Sequence, residues 1–120
     1  MTIEELQRNF WEEWSKTSNS EKLSWVKQNL PYLVADSITK EQGEHILHCI
    51  DGMVDSLCGL HKAGDFVEAV LEDNLTEAVE RADETNEVCL RTYVLFLHNK
   101  VPYTLRELKR NKVKIGDEKC

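Results

Sequence analysis

Six candidate helix starts in 120 residues pair a short polar side chain with a Glu or Gln three positions on. Thr2 with Glu5, Ser18 with Glu21, Thr39 with Gln42 and Thr104 with Glu107 have the form of a capping box. In that arrangement each partner satisfies an N–H group that a first helical turn leaves over. Asp65 with Glu68 and Asn74 with Glu77 follow a looser version. So many helix starts in so short a chain predict six to seven short helices and leave little room for any other element.

The apolar residues repeat at the matching interval. Ile3, Leu6, Phe10 and Trp14 step by three and four, which places them on one helical face. Ser18 opens a second helix with Leu23, Val26 and Leu30 inward, and Pro31 ends it. The longest helix begins at Thr39, with Ile46, Ile50, Met53, Leu57 and Leu60 as its stripe. Leu47, Val54 and Cys58 widen that stripe, so it packs on more than one neighbour. Gly64 is placed to end it in a left-handed turn. Short helices follow from Asp65 and Asn74. A helix apolar on nearly all sides, from about residue 85 to 100, is expected at the centre, with Pro102 after it and Thr104 capping the last helix. No segment alternates with period two and no hairpin turn separates strand-like runs. The expectation is an all-α, compact single-domain bundle over residues 1–112, with a flexible tail over 113–120.

Composition narrows the function classes. Apolar residues make up 41% and charged residues 31%, the balance of a folding chain. No run approaches the roughly 20 apolar residues of a membrane span, and the acidic, amphipathic start lacks the order of a secretory leader. A cytoplasmic protein is expected, with Cys49, Cys58, Cys89 and Cys120 reduced. The net charge of −7 argues against direct nucleic-acid binding, which needs Lys and Arg on phosphates. The charge is also uneven. Residues 65–87 hold nine acids against Arg81 alone, while residues 100–114 hold six bases against Glu107 alone.

The chemical candidates are few. His45, His48 and Cys49 share a helical face, and Cys58 with His61 repeats the spacing, but His45 and His61 lie roughly 24 Å apart along one helix. One zinc ion cannot bridge that span. Cys58 with His61, or Cys89 with His98, lacks an orienting third group for a nucleophile. The Glu77–Glu80 and Glu84–Glu87 pairs have the spacing of carboxylates that hold a divalent ion on helices, and a solvated face gives the same spacing. No glycine-rich phosphate loop is present. No cofactor or metal is therefore expected, and the chain reads as non-enzymatic. Trp11, one step off its helix's inward stripe, and Trp25 are candidates for a partner surface, whereas Trp14 fits the core.

Residues 64–102 carry a motif. It runs Gly64-Asp65-Phe66-Val67-Glu68-Ala69-Val70-Leu71, then Ala78-x-x-Arg81-Ala82-Asp83-x-x-Asn86, then Phe96-Leu97-His98-Asn99 and Pro102. This third of the chain resembles a group of small, largely uncharacterised helical proteins from phages and mobile elements. Asp73-Asn74 stands in reversed order and His98 stands where Tyr is usual. The first 40 or so residues have no counterpart in the pattern, so nothing transfers to them. The resemblance implies a phage-type accessory role in the cytoplasm of a bacterial host.

Three functional readings follow. The first is a protein that binds and inhibits a host protein, such as a nucleic-acid-binding defence factor (an anti-CRISPR or anti-restriction role). Its acidic surface of Glu72, Asp73, Glu77, Glu80, Asp83, Glu84 and Glu87 would imitate nucleic acid, with Trp11 and Trp25 adding contact. The second is a nucleotide-sequestering protein with a pocket of Asn74, Arg81, Asn86, Tyr93 and Asn99, and Arg91 nearby. Within that reading Arg81 and Asp83 either line the pocket or form a structural ion pair. The third is a metal-dependent nucleotide hydrolase. A homodimer is compatible with the first two.

Overall fold

A computed structural model of the chain describes residues 2–31 and 36–109. Among them every regular element is helical: α1 (Ile3–Lys16), α2 (Asn19–Gln28), α3 (Lys40–Leu57), α4 (Asp65–Leu71), α5 (Leu75–Arg81), α6 (Glu84–Val88), α7 (Leu90–Lys100) and α8 (residues 103–109). The expected all-α bundle is what the chain forms. No helix among the described residues is long and apolar enough to cross a membrane.

The helix starts lie largely where the caps place them. Thr2, Ser18, Asn74 and Asp83 each accept a hydrogen bond from the backbone N–H three residues on. Among the described residues, only Thr39 and Gln42 close both halves of a capping box, at 3.1 and 2.9 Å. Two expected caps move. Gly64, with φ −66°, caps α4, and Asp65 is its first helical residue, because Glu68 turns into the interior instead of back to the cap. Residue 103 begins α8 directly after Pro102, whose carbonyl accepts from the Arg106 N–H, so Thr104 lies inside the helix.

The ends are also specific. α3 stops at Leu57, and Gly59 at φ +77° makes the left-handed turn that the sequence suggested for Gly64. Gly59 N–H bonds the Ser56 carbonyl and Leu60 N–H bonds that of Asp55, the paired bonds of a Schellman ending. Leu60 is thereby carried off the stripe and out to solvent. α4 ends the same way with Asp73, a non-glycine at φ +60°, in the left-handed position. Its N–H bonds the Val70 carbonyl, and Asn74 N–H bonds that of Ala69. The segment expected as one helix over 85–100 is two. Cys89, fully buried at φ −97° and ψ 13°, closes α6 and opens α7.

α3 is the hub of the bundle: α1, α2, α4 and α6 pack on it, while α7 packs on α4 and α6. Its Ile46, Ile50 and Met53 are wholly buried, and each such side chain stabilises by roughly 1.5–3 kcal/mol. Phe96 of α7 receives Trp14 and Trp25 edge-on, with ring centroids 5.3 and 5.7 Å away. Phe66 of α4 meets Tyr93 in the same manner at 5.5 Å. Thr92, fully buried, donates to the Asn29 carbonyl at 2.9 Å, which fastens α7 to the end of α2.

Candidate functional site

The Schellman ending of α4 sets α5 back against α4 and leaves a groove between this pair and α7. Its floor is Ala69, Val70, Ala78 and Leu90. One depression of about 50 Å³ lies under Leu75, and an adjoining one of about 270 Å³ runs on to His98 and Arg106. Val70, Asp73 and Val94 line both, so the two lie side by side. Leu75 is 65% exposed and Val94 41% exposed on its walls, and Val79, also exposed, lies one turn beyond Leu75. Apolar side chains of this size left in water around an apolar floor are the pattern of a docking surface. At the far end the Arg106 Nη1 lies 3.1 Å from His98 Nδ1, and its guanidinium is 5.2 Å from the Tyr103 ring.

The acidic candidates surround α5 and α6. Glu72 is the half-buried C-cap of α4, and exposed Asp73 lines the groove beside it. Glu80 and Glu87 point to solvent. Glu77 pairs with Arg81 at 2.8 Å, one turn along α5. Asp83 caps α6 through Asn86 N–H at 2.7 Å and meets His45 Nε2 at 2.9 Å. The side chain of Glu84 lies outside the described residues. Trp11 is 41% exposed on α1, away from its inward stripe, while Trp25 is half-buried against Phe96.

The five residues of the suggested ligand pocket do not converge. Asn74 is spent as a helix cap beside the α5 groove, and Asn99 is exposed near the end of α7. Arg81 and Asn86 do share a cleft of about 470 Å³ with His48, Cys49 and Asp65. Within it Asn86 is already committed. Its Oδ1 accepts from the Tyr93 hydroxyl at 2.5 Å, and its Nδ2 faces the Cys49 sulfur at 3.7 Å. Tyr93 is wholly buried behind it, and burial first, then neighbouring Cys49, pushes its hydroxyl far above the usual range. The cluster joins α3, α6 and α7 and offers a ligand little. Arg81 pairs with Glu77 and not with Asp83, whose carboxylate caps α6 and meets His45.

The three described thiols are all held by burial in their protonated form. Cys58 donates to the Gln7 carbonyl, and burial, with Asp55 nearby, pushes its thiol up to about 11. Burial also raises Cys49 and Cys89, the reverse of what an attacking thiolate needs. No group of three or more His, Cys, Asp or Glu among the described residues is placed to hold a metal ion.

Two features escaped the sequence. Nothing in the sequence marks Leu75, Val79 and Val94 as exposed, and only the fold shows that they stand outside. Glu68 read as half of a cap, but it is a buried carboxylate. It accepts from Ser56 Oγ at 2.6 Å, Ala63 N–H at 3.0 Å and Lys109 Nζ at 3.0 Å. Compared with protein-family models, with curated proteins and with solved structures, the chain matches none.

Proposed function

We propose that this chain is a non-enzymatic binding protein that docks a basic protein surface along the α4–α5/α7 groove and the acidic turns beside it. The observation that carries the reading is the exposure of Leu75 and Val94 over an apolar floor, with Leu75 inside the most acidic stretch of the chain. Apolar contact supplies affinity at the centre of such a surface. Glu80, Glu87 and Asp73 beside it steer a partner of opposite charge and set the salt dependence. A basic surface shaped for nucleic acid has that charge. The resemblance of residues 64–102 to phage-type proteins supports a host defence factor, of the anti-CRISPR or anti-restriction kind, as the target. Inhibition then follows from occupancy of the groove that nucleic acid needs.

The test compares the wild-type chain with two variants in capture from bacterial lysate. One replaces Glu77, Glu80, Glu84 and Glu87 with Gln; the other combines Leu75→Asp with Val94→Asp. The reading expects a captured protein that both variants lose and that duplex DNA displaces. Equal capture by all three chains, or indifference to DNA, overturns it.

A further inference from the structure

Outside that groove, a cleft of about 380 Å³ lies between α1 and α2. Its lining includes Phe10, Trp14, Trp25, Lys22 and Lys100. That volume suits a two-ring organic molecule. Two indoles in one small cleft supply apolar area and flat faces at little conformational cost. The unusual member is Lys22, a lysine nine-tenths buried at the foot of the cleft. Its ammonium rests 4.5 Å from the Trp14 ring centroid. The Asp51 carboxylate is 4.0 Å away, beyond hydrogen-bond reach, and its Oδ1 is already held by the Trp14 indole N–H at 2.8 Å. The stem is packed away while the ammonium reaches the cleft. Here the distances leave Lys22 donor capacity toward the cleft.

We infer that this cleft binds a small aromatic carboxylate, its ring against Trp14 and Trp25 and its carboxylate on Lys22. The charges around it discriminate by burial. Glu13 and Glu21 also line the cleft, but both are exposed and screened by water. Lys22 is held by its packed stem beside Trp14, so its charge meets the cleft from a fixed position. Lys100, exposed and also in the lining, adds a second positive group. A cationic ligand would meet the Lys22 ammonium on the indole face it needs. This site shares no residue with the α4–α5/α7 groove, so it stands or falls separately.

The test titrates 2-naphthoate and, separately, 2-naphthylmethylammonium into the full chain. Tryptophan fluorescence and the indole N–H signals in a proton–nitrogen spectrum are followed. Saturable binding of the anion is expected, with shifts at Trp14 and Trp25 and not at Trp11. The cation should bind at least about tenfold more weakly. Lys22→Met keeps the aliphatic stem and should cost the anion about tenfold in affinity, with helical content unchanged by circular dichroism. Should Lys22→Met not fold, the comparison of anion with cation on the wild-type chain decides alone. No saturation by millimolar 2-naphthoate, equal binding of the cation, shifts confined to Trp11, or a folded Lys22→Met that binds as well, each overturns the assignment.

Discussion

The Glu68 carboxylate and the Lys109 ammonium lie 3.0 Å apart, with most of both side chains withdrawn from solvent. They are 41 positions apart in sequence. The pair fastens α8 onto α4, and Ser56 and the Ala63 N–H hold the second carboxylate oxygen. Burial alone would raise the Glu68 pKa, but the hydrogen bonds from Ser56 and Lys109 outweigh it, and the carboxyl sits below its ordinary 4.5. A depressed folded pKa contributes stability that is present above the unfolded value and lost as pH falls through the folded one.

Glu68→Gln should therefore destabilise by about 1–3 kcal/mol at pH 7, since it leaves the buried side of Lys109 without a charge partner. The gap to wild type should shrink below the ordinary carboxylate range, because wild type then loses the same ionised group. Urea midpoints at neutral and acid pH measure both. A gap that stays constant as pH falls means that ionised Glu68 contributes nothing.

Gly59 is required by conformation, not by space. A Cβ there would meet Gln7 Nε2 at an ordinary 3.7 Å, but the backbone stands at φ +77°. Gly59→Ala should cost about 1–2 kcal/mol, the penalty of a left-handed L-residue. Gly64→Ala meets nothing within 4 Å at a normal φ of −66°. It should stay within about 0.5 kcal/mol of wild type. Thermal melts of the two variants check the contrast, and equal losses would count against this assignment of the turn.

The helices were legible because caps and apolar periodicity are local: Thr2, Ser18, Thr39 and Asn74 act through residues three positions away. What lay beyond the sequence was long-range. Glu68 looks like a capping partner of Asp65 until Ser56 and Lys109 are brought to it from other helices. Gly64 looks like the end of α3 in the sequence, but the left-handed turn falls at Gly59, where the helix stops earlier. Of the suggested pocket, Arg81 and Asn86 did meet across one cleft. The sequence could not show that Tyr93 and Cys49 would use up the Asn86 amide. The acidic residues were plain in the sequence, and the apolar groove beside them was not, since exposure of Leu75 depends on how α5 folds back on α4.

Tyr93 links stability to pH on the alkaline side as Glu68 does on the acid side. Its hydroxyl donates to Asn86 Oδ1 in a wholly buried position. Its pKa is raised well above the ordinary 10.0, chiefly by burial. A raised folded pKa in an acid group gives stability below the unfolded value that is lost as pH rises past it. Tyrosinate absorbance from Tyr93 should therefore appear only with unfolding. Tyr93→Phe should cost about 1–2 kcal/mol at pH 7 through the lost hydrogen bond and should soften the alkaline decline. Ionisation of Tyr93 in the folded chain near pH 10 would contradict the burial described.

Leu75 and Ala78 lie three positions apart on α5, and both line the groove, one as wall and one as floor. Leu75 is 65% exposed and Ala78 1%. A charge placed on the wall stays in water, so Leu75→Asp should shift stability by no more than about 0.5 kcal/mol. The same charge at Ala78 must be desolvated or must force α5 off α4, so Ala78→Asp should cost at least about 3 kcal/mol. Urea unfolding of both variants distinguishes an open docking groove from a seam closed by packing. If Leu75→Asp destabilises as much as Ala78→Asp, Leu75 is a core residue and the groove is not available to a partner.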